Sequence, residues 1–194
     1  MKATVLHGSP RRNGDSDTLA ESFLRGLNVN DKSQITHFYT NEMHIRPCQG
    51  CLKCNHRLEH FCATEDDMQQ IYNAFIDSRI IVFATPMYWG YITAQLKAVI
   101  DRMEAITQFF KGKIFVVLIT YHYHCESTVA FFKRIAPFFG VNLHVVTCRT
   151  MDEETERDIP ILKIRDALNG AHDLGVKLGK IQGEIDFTFQ SYFG

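Results

Sequence analysis

His7-Gly8-Ser9-Pro10-Arg11-Arg12-Asn13-Gly14-Asp15-Ser16-Asp17-Thr18 leaves the apolar run Thr4-Val5-Leu6 and enters a helical pattern in which Ala20, Phe23, Leu24 and Leu27 share one face. Between strand and helix it places hydroxyls, glycines and two arginines. That composition suits a backbone wrapped around an anion at a helix N-terminus, where unpaired N–H groups carry partial positive charge. We read the stretch as the cradle of a mononucleotide phosphate. Ser9, Ser16 and Thr18 supply hydroxyls, Arg11 supplies charge, and Gly8 and Gly14 are expected to permit tight turns. Asp15 and Asp17 would oppose an anion if turned inward, so they are expected to cap the helix or face water. The rival reading is an ordinary capped strand-to-helix turn. The stretch carries neither the Gly-Lys-Ser/Thr ending of a P-loop nor G-x-G-x-x-G, so neither an NTPase nor a dinucleotide-binding fold is supported.

Working outward, four apolar runs read as strands: Ala3 to Leu6, Arg79 to Ala84, Lys113 to Thr120 and Asn142 to Thr147. Most are continuous instead of alternating, as parallel strands covered on both faces require. Gln34 to Tyr39 mixes polar and apolar residues and suits an edge. Helical stripes separate them. One starts at Thr64 as N-cap and carries Met68, Ile71, Tyr72, Phe75 and Ile76; a second carries Leu96, Val99, Ile100 and Met103. A third carries Val129, Phe132, Ile135, Ala136 and Phe139 and stops at Gly140, with Pro137 expected to tighten or kink its last turn. The last is expected to start at Pro160, and Gly170, Gly175 and Gly179 weaken its regularity. The alternation predicts one α/β domain over residues 1–194, a doubly wound five-stranded parallel sheet.

A net charge of −1 from 21 basic and 22 acidic side chains gives no footprint for nucleic acid. No run approaches a membrane span and no leader is apparent, so a cytoplasmic protein is expected. Six cysteines in such a chain argue against a disulfide framework. Four of them, Cys48, Cys51, Cys54 and Cys62, share fifteen positions. Their C-x2-C-x2-C-x7-C spacing can wrap a 4Fe-4S cluster; zinc, with His56 or His60 as a substitute ligand, and plain thiols are the alternatives. Cys125 and Cys148 read as packing residues, and His7 as a satisfied residue at a buried strand end.

In an open α/β sheet, ligands bind outside the carboxyl ends of strands where strand order reverses. The third strand leads there into Thr85-Pro86-Met87-Tyr88-Trp89-Gly90-Tyr91-Ile92-Thr93, which holds the sole tryptophan beside two tyrosines. Large aromatics at such a place suit a flat ligand, with Met87, Tyr88 and Trp89 on its face and N–H groups around Gly90 at its edge. A surface turn packed on a neighbour is the plainer alternative. The fourth strand leads into Tyr121-His122-Tyr123-His124-Cys125, where His122 and His124 face the same rim. Phe187, Phe189, Tyr192 and Phe193 crowd the end of the chain and are expected to cover a partner subunit, making a homodimer or higher oligomer, or to cover the chain's own sheet edge.

Several motifs occur here in consistent order: Gly8-Ser9-Pro10-Arg11-x-Asn13-Gly14-x-Ser16, Pro47-Cys48-x-x-Cys51-x-x-Cys54, Asp66-Asp67-Met68, Thr85 to Gly90, and Gln95-Leu96-Lys97-x-x-Ile100-Asp101-Arg102. Through them the chain resembles the flavodoxin-like NAD(P)H-dependent FMN reductase family, including its iron–sulfur flavoprotein branch. The resemblance implies a flavodoxin-like three-layer sandwich with Ser9, Arg11, Asn13, Ser16 and Thr18 on the FMN phosphate and Pro86, Met87, Tyr88, Trp89 and Gly90 against the isoalloxazine. It fades beyond residue 120, so Tyr121 to Cys125 marks an altered flavin edge or substrate pocket. The implied activity is hydride uptake from NAD(P)H by FMN and reduction of a small acceptor such as a quinone or free flavin. The alternatives are single-electron transfer between a protein donor and FMN through a cluster on Cys48, Cys51, Cys54 and Cys62, and a noncatalytic flavin-binding redox sensor.

Overall fold

The apolar runs become parallel strands covered on both faces. The computed structural model describes residues 1–29, 33–56 and 61–181. His60 and the aromatic residues 187–193 lie outside the described residues. Strands β1 (Lys2–His7), β2 (Gln34–Tyr39), β3 (Ile80–Tyr88), β5 (Ile114–Tyr121) and β6 (Asn142–Arg149) form a parallel sheet in the order β2-β1-β3-β5-β6. The two-residue strand β4 (Tyr91–Ile92) runs antiparallel to the end of β3. Helices α1 (Asp15–Leu27) and α5 (Arg165–Gly179) cover one face, and α2 (Met68–Asp77), α3 (Ala94–Arg102) and α4 (Glu126–Phe139) cover the other.

Neighbouring strand residues serve opposite cores, which is why the runs show no polar alternation. Val5, Val82 and Val116 pack with Phe23, Leu27, Ala171 and Leu178 of α1 and α5. Leu6, Phe83, Phe115 and Val117 face α2, α3 and α4, where Phe75, Phe83, Phe110, Phe115 and Phe139 meet edge to face or tilted. Burying one such ring contributes roughly 2–3 kcal/mol.

Four sequence expectations need correction. The third strand does not end at Ala84 but runs through Thr85, Pro86 and Met87 to Tyr88, because β4 pairs Met87↔Ile92 and Tyr88↔Tyr91. Helix α2 begins at Met68, not after Thr64: Asp66 Oδ1 accepts the Met68 N–H at 3.1 Å, and the Thr64 carbonyl is taken by Gln69 Nε2 and Arg102. Pro160 precedes a short 3-10 turn, Ile161–Lys163, and α5 starts at Arg165. The glycines of α5 do not loosen it. A Cβ on Gly175 would sit 2.1 Å from the Phe23 carbonyl oxygen, and one on Gly179 2.7 Å from that of Leu27, so both let α5 lie directly on α1. Gly26 does the same from α1, 2.0 Å from the His172 oxygen. The end of α4 is as expected: Gly140 is left-handed with φ 65°, and its N–H reaches back to Pro137 O in a tightened last turn.

Among the described residues no helix is long and apolar enough to cross a membrane.

Candidate functional site

Strand order reverses between β1 and β3, and the loops leaving their carboxyl ends lie together there. The first is pinned from below. The Gly8 N–H donates to Ala84 O at 2.8 Å, the Thr40 hydroxyl to His7 O at 3.0 Å and the Thr93 hydroxyl to Gly8 O at 2.7 Å. These bonds occupy the His7 and Gly8 carbonyls and the Gly8 N–H, while Ser9 and Ser16 line the mouth of the sheet. Gly8 does not supply a left-handed turn; its hydrogen is needed because a Cβ would press within 3.1 Å of Leu96 and the Thr93 hydroxyl. The left-handed residue is Asn13, with φ 57°.

Asn13 is held there by a buried polar network. Its N–H donates to Asp17 Oδ2 at 2.8 Å, and the other carboxylate oxygen takes His7 Nδ1, also at 2.8 Å. The remaining His7 nitrogen meets His37 Nδ1 at 3.0 Å, and the His7 ring stacks on Tyr39. Asp17 therefore neither faces water nor enters the anion site.

The two arginines part company. Arg12 lies over the Tyr39 ring, 3.1 Å from its centroid, and forks onto both carboxylate oxygens of Glu42. Arg11 lines the cavity described next, a cation beside the N-terminus of a 13-residue helix.

The second loop is a β-hairpin tip. Trp89 and Gly90 link Tyr88 to Tyr91 with φ 49° and 73°, the sign pattern of a two-residue type I′ turn. Asn or Asp followed by Gly is the usual solution, so a tryptophan here carries strain of about 1 kcal/mol. Its indole is fully exposed. Two hydroxyls of α4 steady the hairpin: Ser127 Oγ on the Gly90 carbonyl and Thr128 Oγ1 on Met87 Sδ.

Both loops open onto one cavity of about 620 Å³. Its wall takes Ser9, Arg11, Asp15 and Ser16 from the first loop, Pro86 to Gly90 from the hairpin, and Thr120, Tyr121, His122, Tyr123, His124 and Thr150 from the ends of β5 and β6. Eight of the ten residues expected at an FMN site thus share one wall, Ser9, Arg11 and Ser16 with the five of the hairpin. Asn13 and Thr18 are not brought to it. The Asn13 N–H is committed to Asp17, and the Thr18 hydroxyl donates to Gly14 O at 3.1 Å. Thr120 and Thr150 escaped the sequence reading; both end strands, and extending the carboxyl-end rule to every central strand would have found them. Thr93 also went unassigned, although its hydroxyl both fixes Gly8 and accepts the Leu96 N–H as cap of α3.

At the rim His122 Nε2 lies 3.3 Å from an Asp158 oxygen, and its carbonyl accepts from Arg149. Burial, aided by Cys125, pushes the Tyr121 phenol above its ordinary pKa, so it remains a neutral donor.

The cysteine segment sits apart, and none of its thiols lines the cavity. Cys48 and Cys51 are exposed, and Cys54 and Cys62 half-buried. Arg102, wholly buried at the end of α3, moors this segment through both Asp66 oxygens at 2.8 and 2.6 Å, Arg46 O at 3.1 Å and Thr64 O at 2.8 Å. Burial raises the Cys62 thiol pKa, but the Thr64 N–H and the Arg102 charge outweigh it and hold it below the ordinary value. Burial leaves Cys54 above it. Among the described residues no three Cys, His, Asp or Glu side chains converge to hold a metal ion.

The family model described as NADPH-dependent FMN reductase matches residues 1–149. An iron–sulfur flavoprotein of Archaeoglobus fulgidus is 37% identical over 114 residues, 56% of either chain. The chain spans about half the length of the curated relatives it matches. Among solved structures, the Trp repressor binding protein of Bacillus subtilis superposes with a TM-score of 0.63 at 22% identity, covering 90% of this chain and 99% of that one. An FMN-dependent NADH-azoreductase of Bacillus anthracis in complex with FMN superposes with a TM-score of 0.69 at 13% identity, covering 93% and 100%. At these identities the likeness is one of fold.

Proposed function

This chain belongs to the NADPH-dependent FMN reductase family, and we propose that it binds FMN in the 620 Å³ cavity and passes electrons from NAD(P)H to a small acceptor. One observation carries the reading: a hydroxyl-bearing helix N-terminus with Arg11 and Asp15 on its wall, and an aromatic hairpin, face each other at the switch point. They suit the two unlike ends of one ligand. Ser9, Ser16 and the first N–H groups of α1 would hold the phosphate, and Arg11 would neutralise it. Pro86 to Gly90 would lie along the ring, with Thr120 and Tyr121 closing its far edge. When bound, the flavin supplies the hydride and electron chemistry.

The protein's part is then to anchor, orient and shelter. Carbonyls that would repel a phosphate are sequestered by Thr40 and Thr93. The rim residues His122, Tyr123 and His124 are exposed and leave room for a second planar molecule. No side chain is required as nucleophile, because the bond-making belongs to the cofactor.

The test is an anaerobic titration of the FMN-loaded protein with NADPH and NADH. Bleaching of the visible flavin band by either, reversed on adding a quinone, is the expected result. A flavin that stays oxidised with both would overturn the proposed activity.

A second reading, electron exchange between a protein donor and FMN through an iron–sulfur cluster, is favoured by the naming of the Archaeoglobus relative. Iron analysis after anaerobic purification and reconstitution separates the two. About four irons per chain supports the second, and an iron-free protein that still reduces quinone supports the first.

A further inference from the structure

The buried polar network under the first loop points away from the cavity and has no place in the reading above. We propose that Asp17 and His7 are positioning residues for the phosphate loop, Asp17 fixing its turn and the His7–His37 pair cancelling the Asp17 charge by taking up a proton. This rests on the phosphate reading of the loop and adds a pH response to it.

The geometry assigns Asp17 two tasks at once. From the third position of α1 its Oδ2 reaches back to the N–H of Asn13, the residue at φ 57° on which the loop reverses into the helix. No other acceptor is recorded for that N–H among the described residues. Oδ1 meanwhile accepts from His7 Nδ1, and both side chains are buried. A carboxylate one turn into α1 repels an anion bound at the helix start, so it weakens phosphate binding unless its charge is balanced.

The balance is available in the adjoining rings. Neutral His7 donates a hydrogen bond from Nδ1–H to Asp17 and accepts one at Nε2 from His37 Nδ1–H. A protonated His7 donates from both nitrogens, to Asp17 and to His37, with no movement of any ring. One solvent proton enters at exposed His37 Nε2 as the His37 Nδ1 proton passes to His7 Nε2, so the switch costs no repacking. Partial burial, and then the charge of His7, hold His37 below the ordinary imidazole pKa, so the pair takes one proton and not two. The other groups around the pair are few. From α1 Glu21 faces His37, from β2 Tyr39 stacks on His7, and beyond Tyr39 lie Arg12 and Glu42, already paired with each other. The neighbouring strand β3 presents Ala84 at this level.

With the extra proton on the pair the Asp17 charge is balanced and the phosphate is held more tightly; without it the naked carboxylate pushes against the phosphate.

The readout is the ratio of FMN to riboflavin affinity, which isolates the phosphate, measured from about pH 6 to pH 9. Second ionisation of the phosphate, near pH 6, is shared by all variants and cancels between them. In wild type the ratio is large and falls by about tenfold as pH rises, the effect of one unit charge roughly 10 Å away in a protein-like dielectric. Asp17→Asn keeps an acceptor for Asn13 while removing the charge, so at high pH its ratio exceeds that of wild type. Asp17→Ala removes the acceptor as well, and its ratio falls about fivefold or more below Asp17→Asn. His37→Val lies on the edge strand, where a β-branched residue folds readily, and moves the fall to lower pH by removing the acceptor for the second imidazolium proton. Equal ratios in Asp17→Ala and Asp17→Asn, or an unshifted profile in His37→Val, would overturn the proposal while leaving the phosphate reading intact. A wild-type ratio near one at every pH would remove the phosphate reading itself and the proposal with it.

Discussion

Replacing Gly175 with alanine places a methyl group where the backbone of α1 already stands. The new carbon would lie 2.1 Å from the Phe23 oxygen and 2.7 Å from the Leu27 nitrogen. Neither is a flexible side-chain end, so relief requires α1 and α5 to part by about 1 Å to reach ordinary contact. That movement loosens Phe23, Leu27 and Leu178 together and costs about 3 kcal/mol, against which alanine regains about 1 kcal/mol of helix propensity. The net loss is about 2 kcal/mol. Gly170, in the same helix, has open space where a Cβ would go, so Gly170→Ala stabilises by about 1 kcal/mol. Urea unfolding followed by far-ultraviolet circular dichroism, with both variants and wild type free of flavin, reads the opposite signs directly. The reasoning fails if Gly175→Ala is as stable as Gly170→Ala. Because α1 starts at the anion loop, Gly175→Ala also weakens FMN binding where Gly170→Ala does not.

Other substitutions address the site itself. Arg11→Ala lowers FMN affinity by about 2 kcal/mol and leaves riboflavin affinity unchanged, measured by flavin fluorescence titration; an equal loss for both ligands refutes its assignment to the phosphate. Trp89→Asn relieves the left-handed strain and raises stability by about 1 kcal/mol, while riboflavin affinity drops about fivefold; unchanged affinity would show that the indole does not meet the ring. Asp66→Ala leaves Arg102 buried and unpaired and costs about 3–5 kcal/mol, read by denaturant unfolding. Burial alone would raise the Asp66 pKa, but Arg102 and the N–H groups of Arg46 and Met68 outweigh it and depress it. The contribution is therefore fully present above about pH 4 and is lost as pH falls through the depressed value, and a flat wild-type-minus-variant difference across that range would contradict it.

The sheet was legible in the sequence because its strands are continuous apolar runs, and the switch-point rule located both loops. The limits of β3 were not, because pairing of Met87 and Tyr88 with β4 is a tertiary event that a stretch containing Pro86, Trp89 and Gly90 conceals. The glycines of α5 misled for a related reason: helix propensity weighs them against alanine in water, whereas here they face the backbone of another helix. Arg11 and Arg12 are indistinguishable by residue type, and only the position of Tyr39 and Glu42 on a distant strand and turn separates them. Asp17 reads as an ordinary helix-start carboxylate until His7 and His37 are brought against it from two strands.

The family resemblance drawn from motifs between Gly8 and Arg102 agrees with the match over residues 1–149, and apart from Gln95 to Arg102 on α3 it came mainly from loops and strand ends. Cores of this kind tolerate many apolar combinations, whereas a loop that holds a ligand needs particular hydroxyls, charges and backbone angles.

The central claim is that one FMN lies across the two loops, its phosphate at the start of α1 and its ring against the hairpin. A crystal structure of the FMN complex tests this most directly. The account predicts phosphate oxygens within hydrogen-bonding distance of Ser9, Arg11 and Ser16, and the isoalloxazine beside Pro86 to Gly90 with one face open toward Tyr123. A flavin bound elsewhere, or one whose phosphate points toward Tyr121 to His124 with its ring at the β1–α1 loop, would contradict it.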